Sequence, residues 1–501
     1  MIRVALLALT LVSCRTLERP YLMPSPSRAK APAPEGELAR FERAFAEAHG
    51  TEQSGFHLLI RNDEALRARL ALIDHAERTL DLQYFIWHGD ASGSLLLERV
   101  WQAADRGVRV RILVDDLEMQ GGEHGVAVVD RHPNIEIRVY NPWQVRDRLG
   151  VAAGFEFVLS MRQLNHRMHN KAFIADNRVS IVGGRNHGDE YFGLKEKFNF
   201  NDLDVLSVGP VTRAVSRSFD EYWNGPRVIT ADIYGDAERE TLEEIRAGLR
   251  RDLQAEPRLA SFRPIDRRDW PEELAAIEAA LIPGTARVVA DSPAKEKGEF
   301  PKAYAEFFLT AKEEMLVVSA YFIPQQWGVD GIREDVERGV KIRILTNALG
   351  TNDVPVSNSG YKKYRRAILD VGAELYEARS DAAVKPDYEA SPVQGKFLGL
   401  HSKVFVADRS RVYIGSLNLD PRSMYLNTEK GIWIESPALA EQTAQLIEKH
   451  MQPDNAWRVG YDEKGLYWEH DAEKVRSQPA RGFGQRLADW FFTLLPLENQ
   501  L

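Results

Sequence analysis

Apolar and polar positions recur in the same order twice along the chain. In the first half, LDLQYFIW (80–87) is rich in β-branched and aromatic residues. It is followed by LLLERVWQAADRG, with helical spacing and a closing Gly107, and then by VRVRILVDD (108–116). In the second half, MLVVSAYFIP (315–324) leads to GIREDVERG, closed by Gly339, and then to VKIRILTNA (340–348). Each stretch predicts a strand, an amphipathic helix and a second strand. A helical crossover joins parallel strands, so each half predicts a parallel or mixed sheet covered by helices. Each half then reads as strand–turn–strand: HNKAFIADNRVSIVGGRN (169–186), turning at Asp176-Asn177, and HSKVFVADRSRVYIGSLN (401–418), turning at Asp408-Arg409-Ser410. The chain is an α/β protein written twice.

This pattern divides the 501 residues into a first domain over 41–225, a connection over 226–283 that is charged and helical in pattern, and a second domain over 284–460. The ends read differently. Residues 1–14 carry Arg3, the apolar run VALLALTLV and then Ser13-Cys14, the form of an export signal. The LVSC ending resembles a bacterial lipobox, which predicts lipidation of Cys14 and a lipoprotein anchored on the periplasmic side; the alternative is a peripheral protein of the inner membrane. Residues 15–40, rich in Pro, Ala and Ser, then read as a tether. At the other end, 461–501 read as a tail. Its helical stretch sets Leu487, Trp490, Phe491, Leu494 and Leu495 on one face before Pro496, which predicts interfacial anchoring, the alternative being packing across its own domain. Phe155, Phe157, Val158 and Leu159, mixed with arginines, fit either a lipid-entry cleft or a core helix. Lys362, Lys363, Arg365 and Arg366 fit contact with anionic headgroups but read better as a solvated helix face.

Composition narrows the function. With 65 Lys and Arg against 74 Asp and Glu the net charge is −9, and the basic face expected of a nucleic-acid binder is not evident. One cysteine leaves neither an internal disulfide nor a Cys-based zinc site.

The chemistry lies in a duplicated H-x-K-x4-D pattern. His169, Lys171 and Asp176 are followed by Asn186; His401, Lys403 and Asp408 are followed by Asn418, with a His-to-Asn separation of 17 in both (186 − 169 and 418 − 401). A carboxylate also follows each, Asp202 and Glu429. A neutral imidazole suits attack on an anionic phosphodiester at pH 7, and a second histidine suits protonation of the departing alkoxide. Alternation along a strand puts His and Lys on one face, so Lys171 and Lys403 can reach the non-bridging oxygens while Asn186 and Asn418 add neutral donors. Asp202 and Glu429 are expected to hold the distal ring nitrogens of the histidines. Asp176 and Asp408 complete the catalytic signature, but at turns they are expected to bind backbone amides. With Lys, Asn and His supplying the positive charge, no metal or other cofactor is required. A metal alternative would use His166 and His169 with Asp202 or Asp204.

These residues resemble the phospholipase D superfamily. RMHNKAFIADNRVSIVGGRNHGDEYFG, DLDVLSVGPV and GSLNLDPRSMYLNTE are similar to bacterial cardiolipin synthases of the C type, over about residues 45 to 500. The resemblance implies two αβα-sandwich domains with mixed sheets meeting at one shared site, complete in a monomer. It implies a phosphatidyl group passed through a phosphohistidine onto phosphatidylglycerol, from phosphatidylglycerol or phosphatidylethanolamine, at a membrane surface and without nucleic acid. It also implies that His169 is the nucleophile and His401 the acid and base. Gly184 departs from the serine common in the superfamily. The alternatives are phospholipid hydrolysis and, against the acidic balance and the apolar ends, a nuclease or other phosphodiesterase; a purely lipid-binding role would not need two intact half-sites.

Overall fold

The computed structural model describes residues 24–117, 123–143, 166–234, 242–266, 270–293, 298–471 and 473–494. Cys14 and the signal-like segment, Phe155 to Leu159, and Leu495 with Pro496 lie outside these residues.

The first half lays down strands β1 (Ser54–Leu59), β2 (Thr79–Tyr84), β3 (Arg109–Asp115), β4 (Ile135–Tyr140), β5 (Ala172–Ala175), β6 (Val179–Gly183), β7 (Phe198–Asn201), β8 (Asp204–Val208) and β9 (Val228–Thr230). The second adds β10 (Ile282–Ala290), β11 (Glu314–Ser319), β12 (Lys341–Asn347), β13 (Glu374–Ala378), β14 (Phe397–Leu400), β15 (Lys403–Ala407), β16 (Arg411–Gly415), β17 (Lys430–Glu435), β18 (Ala456–Asp462), β19 (Gly465–His470) and β20 (Glu473–Val475). In space the first half runs β9-β4-β3-β2-β5-β6-β8-β1, and the second runs β18-β13-β12-β11-β15-β16-β17-β10. The orders match strand for strand. Only β2-β3-β4 and β11-β12-β13 are parallel, as the predicted crossovers require, so both sheets are mixed.

Strands β1 and β10 pair antiparallel, Phe56 opposite Ile282, and make the two sheets one. Helices Asn62–His75 and Ala91–Asp105 cover the outer face of the first half, and Phe300–Leu309 and Gln325–Glu337 that of the second. Helices Pro210–Trp223 and Pro437–His450 cover the inner face, where Phe219, Tyr222 and Leu439 share a core with β-strand residues of both halves, such as Ile174, Val205, Val404 and Ile432. These are two αβα layers with a common middle. A second join matters more for function: β7 and β14 pair parallel across the halves, Leu400 opposite Asn201.

Two segments behave otherwise than their composition suggests. From Ser25 on, the stretch read as a tether is held against the first half. Arg138 Nη2 donates to Ser25 O at 2.7 Å, Ala29 N to Asp220 Oδ2 at 2.9 Å and Arg178 Nε to Ala33 O at 2.8 Å. Proline and alanine leave its backbone groups open, and buried arginines use them. The connection packs against the first half. Leu253, Leu259, Phe262, Trp270, Leu274 and Ile277 fold back into the first half's core. Among the described residues, no helix is long and apolar enough to cross a membrane.

Candidate active site

The site is built where the two H-x-K segments face each other across the joined halves. His169 stands just before β5 and its amide donates to Thr428 O at 2.9 Å; His401 stands just before β15 and its amide donates to Asn201 O at 2.8 Å. The residue after each acceptor is the predicted carboxylate, so the backbone pairing delivers Glu429 to His169 and Asp202 to His401. His169 Nδ1 donates to Glu429 Oε2 at 2.9 Å, and His401 Nδ1 donates to Asp202 Oδ2 at 2.6 Å. The orienting carboxylates are thus crossed: each half supplies the one that holds the other half's histidine. With Nδ1–H committed, Nε2 keeps its lone pair for chemistry.

Ser416 Oγ donates to Glu429 Oε2, and Asp291 Oδ2 accepts the Glu429 amide at 2.9 Å. The corresponding position in the first half is Gly184, and its departure from the superfamily pattern has a steric cause. A Cβ there would lie 2.2 Å from Asp202 Oδ1. The shorter aspartate draws the carboxylate in against the backbone, where Leu203 N donates to it at 2.8 Å, and leaves no room for a serine.

Both histidines are buried, 8% and 5% exposed, and burial holds both imidazoles well below their ordinary pKa. The ammonium groups of Lys171 and Lys403 push the same way on both rings, which places the two lysines within electrostatic reach of both half-sites. Burial also lowers Lys403 to about 8 and Lys171 well below its usual range. Burial raises Glu429 to about 7, against the pull of Lys171 and the Ser416 hydroxyl, and raises Asp202. Each lysine donates to the carbonyl of its own histidine, Lys171 Nζ to His169 O at 2.5 Å and Lys403 Nζ to His401 O. Each ammonium group therefore stays beside its own histidine.

The asparagines differ. Asn186 Oδ1 accepts from Ile86 N at 3.2 Å and its Nδ2 donates to Tyr191 Oη at 3.0 Å. Asn418 is 3% exposed, and among the described residues its Oδ1 has no hydrogen-bond partner. The Asn186 amide is thus held at both ends, whereas the Asn418 oxygen is not.

The aspartates of the signature stand apart from this group, which corrects their place among the catalytic residues. Asp176 accepts from the amides of Glu77, Arg78 and Thr79 at 2.7–2.9 Å, and Asp408 from those of Lys312, Glu313 and Glu314. With φ of 54° and 50° they sit in left-handed turns and fasten the hairpins to the starts of β2 and β11. The metal set that the sequence allowed does not converge. His166 Nδ1 donates to Leu426 O, Asp202 holds His401, and Asp204 pairs with Arg69 at 2.8 Å and Arg185 at 3.3 Å. The described residues include one group close enough to share an ion, His88, Asp90 and Glu190. Asp90 there already accepts from Asp189 N and Glu190 from Lys195.

An aromatic wall escaped the motif reading. Phe85 meets the His169 ring edge-on at 5.2 Å; Tyr191, Phe200 and Tyr321 surround His401 at 5.2, 4.8 and 6.5 Å. Such rings exclude water from a phosphoryl centre and shape the space around it. Phe85 and Tyr321 come from the duplicated YFI triplets, a repeat visible in the sequence.

The family model for "Cardiolipin synthase, PLD-like domain" matches residues 70–223 and 304–451, the two halves that carry the histidines. The chain is 36% identical over 465 residues to cardiolipin synthase C of Escherichia coli, with 89% of this chain and 96% of that one covered. It is 24% identical to cardiolipin synthase 2 of Staphylococcus epidermidis, with 76% and 65% covered. In structure it resembles phosphatidylserine synthase of Haemophilus influenzae with a TM-score of 0.55 at 14% identity, covering 82% of this chain and 91% of that one, a likeness of fold. By the family match over both halves and the similarity to cardiolipin synthase C, the chain belongs to the phospholipase D-like cardiolipin synthase family.

Proposed function

We propose that the protein forms cardiolipin by phosphatidyl transfer onto phosphatidylglycerol, and that the crossed pairs His169–Glu429 and His401–Asp202 carry the reaction. His169 Nε2 attacks the phosphorus of a donor phospholipid. The P–O bond to the headgroup breaks, and His401 protonates the departing alcohol. The phosphatidyl group then rests on His169 Nε2 as a phosphoramidate. In the second half-reaction the neutral His401 takes the proton of a glycerol hydroxyl of phosphatidylglycerol. That oxygen bonds to phosphorus, and the P–N bond breaks to release His169. Two phosphatidylglycerols give cardiolipin and glycerol; a phosphatidylethanolamine donor releases ethanolamine instead.

The charges support this order. Burial and the two lysines hold both imidazoles toward the neutral form, which suits a nucleophile, and the negative charge of a bound phosphodiester favours protonating one of them. The ring so protonated is the acid that the first step needs. Lys171, Lys403 and Asn418 meet the charge that develops on the non-bridging oxygens. Family resemblance assigns the nucleophile to His169.

Expression in cells lacking cardiolipin tests the reading. Wild type is expected to restore cardiolipin, and His169→Ala and His401→Ala to abolish it while keeping the wild-type melting temperature. Phosphatidic acid accumulating in its place would assign the chain to hydrolysis, and turnover surviving in either variant would refute the shared site. Phospholipid substrates are consistent with work at a membrane surface. For the further proposal of a lipid on Cys14, incorporation of labelled fatty acid that is lost in Cys14→Ser is the expected result.

A further inference from the structure

Half of the large apolar side chains that the described residues expose fall between 483 and 494: Phe483, Leu487, Trp490, Phe491 and Leu494, each more than half exposed. They sit on or beside the helix Phe483–Thr493, whose other side is fixed to the second half by a polar clamp. Asp489, 7% exposed, accepts from Asn358 Nδ2 at 2.6 Å and from Lys362 Nζ at 2.7 Å. A buried carboxylate therefore decides which face of this helix turns inward, and the apolar face is left outward. Such a face marks an interaction surface.

Position and charge identify the occupant. The segment before the helix clasps the rim of the active site: Arg481 Nη2 donates to Asn352 O at 2.9 Å and Gly350 N to Pro479 O at 3.0 Å. Gln485 Nε2 reaches Leu349 O and, at 3.3 Å, Asn352 O. The next rim residue, Asp353, accepts from Tyr321 Oη at 2.9 Å, and the Tyr321 ring stands edge-on to His401. These contacts tie the start of the helix to the loop that reaches the His401 side of the site. Exposed cations accompany it, Arg486 on the helix itself and, in the segment that carries Lys362 of the clamp, Lys363 and Arg366, the last paired with Asp370 at 3.6 Å. Trp, Phe and Leu together with Lys and Arg suit the boundary between headgroups and acyl chains of an anionic leaflet.

We propose that this helix face seats in an anionic lipid surface and holds the His401 mouth of the active site against it, so that lipid reaches the phosphoryl centre from that side. The proposal rests on the phospholipid reading for its purpose, but its binding test is independent of turnover.

The test uses the full chain with Trp490→Glu and Phe491→Glu together, side chains that take no part in the chemistry. Wild type is expected to co-sediment with vesicles of phosphatidylcholine plus phosphatidylglycerol, and much less with phosphatidylcholine alone or at high salt. The double variant is expected to lose vesicle binding about tenfold or more. It should keep wild-type turnover on a short-chain phospholipid below its micelle concentration. Unchanged vesicle binding would overturn the proposal, as would light scattering in which the wild type is a dimer and the variant a monomer, which would assign the face to a second copy. Inactivity of both proteins on every phospholipid, with binding still lost only in the variant, would count against the proposed reaction and not against this surface.

Discussion

At the scale of single residues, the site depends on which atom each imidazole offers to phosphorus. Glu429 and Asp202 occupy Nδ1 of His169 and His401, so Nε2 is the free nitrogen in both. Glu429→Gln keeps the shape but removes the anion that fixes the tautomer and stabilises an imidazolium. Turnover is expected to fall by about two to four orders of magnitude with little change in KM. Steady-state kinetics check this, and an unchanged kcat would deny Glu429 its positioning role. Lys403 sets a second expectation. Burial lowers it to about 8, so its ammonium is present below that pH and is lost above it. The kcat/KM of the free enzyme should therefore fall as pH rises through about 8, and a profile flat to pH 10 would show that this charge is not needed. None of these cross-half contacts is adjacent in sequence. The carboxylates were legible as a repeat, but not which histidine each would serve.

At the scale of elements, the H-x-K-x4-D pattern divides into a chemical part and a fastening part. Residues one and three of the pattern are those proposed to meet the phosphoryl group, whereas the aspartate five residues beyond the lysine lies past the far end of a short strand. Asp408 collects three backbone amides there. Burial raises its pKa, but these hydrogen bonds outweigh burial and leave it below its ordinary value. A lowered carboxylate stabilises the fold fully above its unfolded pKa and ceases to do so as pH falls through its folded value. Asp408→Asn is expected to cost about 1–3 kcal/mol, read as a lower urea midpoint, with turnover per folded molecule retained. A variant with normal stability and no activity would return Asp408 to the chemistry. The turn role was readable from Asp-Asn and Asp-Arg-Ser between apolar strands. The shared YFI triplets were readable too, but not their placement. Counted from the equivalent residues Thr79 of β2 and Glu314 of β11, the triplets are offset by two residues, so it is Phe85 that meets His169 in one half and Tyr321 that meets His401 in the other.

At the scale of the whole molecule, catalysis depends on how closely the two halves approach. The β7–β14 pair sets Asn201, and so Asp202, against His401, and its narrowest point is Gly399. A Cβ there would lie 2.3 Å from the Phe198 ring and 2.8 Å from the Thr351 carbonyl. Gly399→Val is expected to part the halves locally and to lower turnover about a hundredfold, since a displacement of about an ångström suffices. The change should fall on kcat more than on melting temperature, because each half keeps its outer core. Equal losses in both would mean that the join is needed for folding rather than for alignment.

The sequence by itself determined the duplication, the crossovers that make part of each sheet parallel, and the identity of the histidines, lysines and carboxylates. All of these are written in local periodicity and in spacing that repeats along the chain. The tertiary structure alone decided that the carboxylates cross between halves, that Gly184 must lack a side chain, that residues 25–36 and the connection pack back on the first half, and that the Asn186 amide is held at both ends whereas the Asn418 oxygen is not. These depend on contacts between residues as much as 260 positions apart, as with His169 and Glu429. Pairing of that kind is selected by the packing of two cores against each other and leaves no period in the chain.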